Sequence, residues 1–77
     1  MEHTYRGELW KLLNAGVKLV TIEREGAEAV TGSIGAIDAN GCDILVPVGM
    51  FDTEQCTFIA YRDMRGIKYE RKKVAPN

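Results

Sequence analysis

The segment from Ala27 to Ala39 constrains the fold more than any other part of this sequence. It reads as one long strand, yet Val30 and Ile34 fall on one parity and Ile37 on the other, so a flat strand would turn part of its apolar set toward water. Gly32 and Gly35 stand where the parity changes. Glycine tolerates a sharp bend and the close approach of a neighbouring backbone. The run therefore predicts a bent or bulged strand that serves both halves of a small barrel.

The flanking segments supply the rest of such a barrel. Thr4 can cap a helix over about 4–15, in which Tyr5, Leu9, Leu12 and Leu13 form one apolar stripe and Gly16 follows as the stop. Trp10 lies beside the stripe and reads as a residue packed against the sheet. Val17 to Glu25 reads as a first strand ended by Glu25-Gly26. Asn40-Gly41 is a strong hairpin signal joining the bent strand to a third, Cys42 to Val48, with Cys42, Ile44, Val46 and Val48 on one face.

Pro47, which cannot donate a ladder hydrogen bond, marks an edge or bulge near the end of that strand. A loop from Gly49 to Glu54, with Met50 and Phe51 read as packed at a subunit contact, leads to a fourth strand, Gln55 to Arg62. There Cys56, Phe58 and Ala60 alternate with Thr57, Ile59 and Tyr61. A turn at Asp63-Met64 precedes a fifth strand over about Arg65 to Arg71, and residues 72–77 read as a frayed tail. The fold class is mainly β: an N-terminal α-helix followed by a strongly bent five-stranded antiparallel SH3-like barrel, about 17–71.

The 77 residues make one domain, and a chain of this size buries only about 60% of the surface its unfolded form exposes. Neither metal-ligand spacing nor a dense cysteine framework staples it, so self-association is the expected supplement. Cys42 and Cys56, placed near opposite ends of a hairpin, are expected roughly 20 Å apart and therefore reduced and partly buried. No apolar run approaches the ~20 residues of a membrane span, and the polar N-terminus does not read as a secretory signal, which makes a cytoplasmic protein the expectation. Charge is uneven: residues 1–61 carry four basic and nine acidic side chains, whereas Arg62, Arg65, Lys68, Arg71, Lys72 and Lys73 face only Asp63 and Glu70. Any polyanion-binding surface must be local.

Two segments carry a family resemblance. Gly32-Ser33-Ile34-Gly35-Ala36-Ile37-Asp38 resembles the first Sm motif, and Ile59-Ala60-Tyr61-Arg62-Asp63-Met64-Arg65-Gly66-Ile67 resembles the second, including its Hfq-like form with a tyrosine and a basic residue before the turn. With the helix, the resemblance to Sm-like (LSm) ring proteins covers about residues 4–71. It implies a homo-oligomeric ring of about five to seven subunits, closed head-to-tail by pairing the fourth strand of one subunit with the fifth of the next. It also implies single-stranded RNA, or DNA, as the partner, with a role in RNA processing or regulation.

By that resemblance the nucleotide site draws on Asp38 and Asn40 after the second strand and on Arg62, Asp63 and Arg65 around the turn after the fourth. Carboxylate and amide groups read base edges, and an arginine stacks on a base or meets phosphate. Asp38 and Asn40 serve equally well to satisfy turn backbone groups, and both readings stand. Lys68, Arg71, Lys72 and Lys73 offer a peripheral basic patch. The chain departs from the family in two places. It has Ala39 and Asn40 where a stacking aromatic or bulky residue often stands, and Cys42 where an asparagine is expected.

Catalysis finds little support: the lone His3 lies in the terminal segment, and no cysteine–histidine or paired-carboxylate constellation faces itself across elements. Neither a metal nor a cofactor is implied. The competing function is a structural or protein-interaction barrel with no dedicated nucleic-acid site.

Overall fold

The structure, a computed structural model, describes residues 4–49 and 53–70. Helix α1 (Tyr5–Asn14) begins where the Thr4 hydroxyl accepts a hydrogen bond from the Gly7 amide at 3.2 Å, and it ends before Gly16, whose φ of +80° is the left-handed turn-off expected there. Five strands follow: β1 (Val20–Arg24), β2 (Ala27–Ile37), β3 (Gly41–Val48), β4 (Thr53–Ala60) and β5 (Met64–Tyr69). They form one antiparallel sheet in the order β4-β3-β2-β1-β5. No helix among the described residues is long and apolar enough to cross a membrane.

The bend predicted in β2 has an identifiable origin. Its first half pairs with β1 as far as Gly32, opposite Val20, and its second half pairs with β3 from Ser33, opposite Leu45. A Cβ on Gly32 would stand 2.3 Å from the Leu45 carbonyl oxygen, so the close crossing admits only glycine. The ladder then advances three residues on β2, Ile34 to Ile37, against two on β3, Ile44 to Cys42. That single extra residue is a bulge, and it returns Ile37 to the same packed side as Ile34 despite their opposite parity.

The core closes inside the curl. Leu9 and Leu12 of α1 meet Val20, Ile22, Val30, Cys42, Ile44, Ile59 and Met64, all buried, and Tyr5, Ile34, Ile37 and Tyr61 pack around them. Each fully buried aliphatic side chain stabilises the fold by about 1.5–3 kcal/mol relative to its exposed state. The outer margins of the sheet are β4 and β5, which do not pair with each other.

Several boundaries shift from the sequence reading. The first strand begins at Val20 instead of Val17, and the fourth ends at Ala60 because Tyr61–Asp63 winds into a 3₁₀ turn, η1. Met64, expected in a turn, opens β5 and is buried. In β4 the inward residue is Ile59, while Cys56 and Phe58 face out; on β3, Cys42 and Ile44 are buried but Val48 is exposed. The loop residues Met50 and Phe51 and the segment 71–77, with Arg71, Lys72 and Lys73, lie outside the described residues, as does His3.

Candidate nucleic-acid interface

The turn after β2 and the turn after β4 are fastened to each other by backbone chemistry. The Asp38 amide donates to the Gly41 carbonyl at 2.8 Å and closes the β2–β3 turn. The Tyr61 amide donates to the Asn40 carbonyl at 3.1 Å, and the Tyr61 hydroxyl donates to the Asp38 carbonyl. Burial holds the Tyr61 phenol above its ordinary pKa, and Cys42 adds to the rise, while the nearby Arg6 charge opposes it. Tyr61 is thus a fixed wall between α1 and the turns. Gly41 completes the junction, since a Cβ there would meet the Ile59 carbonyl at 2.4 Å and the Phe58 ring at 2.5 Å.

Two adjoining concavities share this wall. One, of about 660 Å³, lies between Tyr5, Arg6 and Trp10 of α1 and the group Ala39, Tyr61 and Arg62. The other, of about 550 Å³, is lined by Asn40, Phe58 and Ala60 together with the same Ala39, Tyr61 and Arg62. Trp10 is 43% exposed and Phe58 52%, so each offers an open aromatic face. Neither Arg6 nor Arg62 makes an ion pair among the described residues. Open aromatic faces beside uncommitted guanidinium groups suit stacked bases and their phosphates.

Trp10 therefore differs from its expected role as a packing residue. Leu9 and Leu12 fill the seat beneath α1, which turns Trp10 outward beside Arg6. Arg6 and Trp10 are four residues apart, a spacing that puts both on one helix face, and that was the available signal. The exposed aromatic side chains beside the β2–β3 turn thus come from α1 and β4.

The expected site residues divide into two groups. Asn40 and Arg62 line the same concavity, and Asp38 joins them through its carbonyl bond to Tyr61. Asp63 and Arg65 line neither concavity: the Asp63 backbone carbonyl accepts from the Glu25 amide at 3.0 Å, and the Arg65 guanidinium pairs with the Glu25 carboxylate at 2.8 Å. The cause is a second bulge, because β5 advances from Gly66 to Met64 while β1 moves only from Glu23 to Arg24, leaving Arg65 as the extra residue beside the β1–β2 turn. Lys68 of the peripheral patch is paired with Glu23 at 3.3 Å.

The cysteines are free, as expected, but on different grounds. Cys56 lies opposite Leu45, three ladder positions from Cys42, so the separation along the sheet is about 10 Å and not 20 Å. Their opposite parity puts Cys42 inside and Cys56, expected to be partly buried, outside. Burial pushes the Cys42 thiol up to about 11, with the Asp43 charge adding to the rise. Among the described residues no group of three or more His, Cys, Asp or Glu is placed to hold a metal ion.

Comparison with protein-family models, with curated proteins and with solved structures finds no match to this chain.

Proposed function

We propose that this chain is a noncatalytic protein that binds single-stranded RNA, or DNA, and assembles as a homo-oligomeric ring of the Sm-like kind. The observation that carries the binding half is the convergence of Asn40, Tyr61 and Arg62 with exposed Trp10 and Phe58 in two adjoining concavities. Arg62 meets phosphate or stacks on a base, the Asn40 amide addresses a base edge, and the aromatic faces take bases in a way that tolerates any sequence.

The ring half is supported by the two margins of the sheet. Among the described residues β4 and β5 each have one side without a strand partner, and a strand edge left this way invites pairing with another chain. Adding β4 of one copy to β5 of the next is a head-to-tail contact, which closes when its rotation permits. About five to seven copies would array the site around a common axis and raise a modest affinity by avidity. Fluorescence anisotropy with A-rich and U-rich oligonucleotides at low salt tests binding, and light scattering tests the ring. Failure of every oligonucleotide to bind removes the first half, and a strict monomer at micromolar concentration removes the second.

One observation favours a second reading, a protein-interaction barrel. Arg65 and Lys68 are tied to Glu25 and Glu23, which leaves the β1–β5 surface close to neutral and poorly suited to a polyanion. Copurification of a defined protein partner, with no nucleic acid extracted alongside it, would support that reading.

A further inference from the structure

The two concavities are adjacent, and they share Ala39, Tyr61 and Arg62. On the α1 side the open ring is Trp10, with Arg6 beside it; on the β4 side it is Phe58, with Asn40 beside it. Tyr61 cannot swing aside cheaply to merge the two, because its amide and hydroxyl are both bonded to the β2–β3 turn. A ligand filling both must pass over a fixed wall and present an anion to the guanidinium that borders each side.

We propose that each protomer takes a two-nucleotide step of single-stranded nucleic acid, one base on Trp10 and its neighbour on Phe58, with Arg62 on the phosphodiester between them. The proposal rests on the nucleic-acid reading above and adds its register, its polarity across Tyr61, and two stacking residues on α1 and β4. Charge complementarity commits the groove to this occupant. Arg6 and Arg62 make no ion pair among the described residues, and successive bases joined by one phosphate match two apolar seats joined by one cationic border.

Trp10 is the only tryptophan in the chain, so its emission reports directly on the α1-side seat. The full chain is titrated with adenosine monophosphate, with the 5′-phosphorylated adenine dinucleotide and with a fluorescein-labelled adenine hexanucleotide, following tryptophan quenching for the first two and anisotropy for the third. The dinucleotide is expected to quench Trp10 with an affinity about 5- to 150-fold tighter than the mononucleotide, the worth of one added stacked base. Quenching by the dinucleotide with none by the mononucleotide is the same result at its limit. Phe58→Leu, which keeps an apolar cover over Gly41 but loses the flat face, should abolish that advantage and bring the dinucleotide's affinity down to that of the mononucleotide. Trp10→Phe should retain hexanucleotide binding, and Trp10→Ala should weaken it by about 5- to 150-fold.

Equal affinity for one and two nucleotides overturns the two-base step. Saturating hexanucleotide binding that is lost on Arg62→Ala but leaves tryptophan emission unmoved overturns the Trp10 seat while sparing the wider reading. Absence of binding to every ligand overturns both.

Discussion

Two ends of the same sheet carry arginines of similar exposure and put them to different use. Beside the β1–β2 turn, Arg65 lies 2.8 Å from Glu25 and Lys68 lies 3.3 Å from Glu23, so both cations are paired with carboxylates of the same fold. Beside the β2–β3 turn, Arg62 has no carboxylate partner among the described residues and borders two grooves that hold Trp10 and Phe58. Counting charge along the chain ranks the two regions together. Charge available to a ligand is a property of pairing, and a bulge of one residue in β5 decides which arginine is spent on its own fold.

The largest expected contrast is in stability. Gly41 sits at the junction beneath the grooves, where an added Cβ would meet the Ile59 carbonyl at 2.4 Å, whereas at Gly66 it would meet only the far end of the Glu23 side chain at 2.8 Å, which can yield by rotating about its own bonds. Gly41→Ala should cost about 3 kcal/mol, and Gly66→Ala less than about 1 kcal/mol, by urea denaturation. Equal costs would mean that the two turns are equally tolerant and that the junction is not built around glycine.

The next effect is alkaline. The Cys42 thiol is held at about 11 in the fold against 9.0 in the open chain, so above pH 9 the unfolded chain loses this proton first and stability falls as pH rises toward 11. The fall should reach about 2–3 kcal/mol, and Cys42→Ala should remove that part of the slope. Thermal melts at pH 8, 10 and 11 measure it, and a slope identical in the variant would place the titration elsewhere.

A smaller effect, in binding, contrasts the two arginines directly. Arg62→Ala should weaken oligonucleotide binding by about tenfold and lower the salt slope by about one, while Arg65→Ala should change affinity by less than about twofold. Smallest of all is the exposed Arg65–Glu25 pair, whose removal should alter stability by at most about 0.5 kcal/mol in a double-mutant cycle.

The bend was legible because its cause is local: two glycines and a parity change can be seen in a dozen residues, and Gly32 does meet the Leu45 backbone as such a crossing requires. Helix α1 was legible for the same reason, through Thr4 and Gly16. The inward face of β4 was not, since Cys56, Phe58 and Ala60 alternate with Thr57, Ile59 and Tyr61 and both sets are largely apolar. Trp10 was misread because it borders the stripe, and only the fit of Leu9 and Leu12 into the core decides which way the indole turns. Asn40 and Arg62 read together from the sequence and line one concavity, whereas Arg65 reads with them only while Met64 is placed in a turn; as the first core residue of β5, Met64 stands at opposite parity to Ile67, which is the mark of the bulge beside Gly66.

The most direct measurement is a set of anisotropy titrations of a labelled adenine hexanucleotide across a range of salt concentrations, comparing the unaltered chain with Arg62→Ala and Arg65→Ala. Binding that falls steeply with salt, is weakened about tenfold by Arg62→Ala and is left nearly unchanged by Arg65→Ala is the predicted result. Equal losses in the two variants, or no binding at any salt, would contradict the assignment of the β2–β3 turn as the nucleic-acid face.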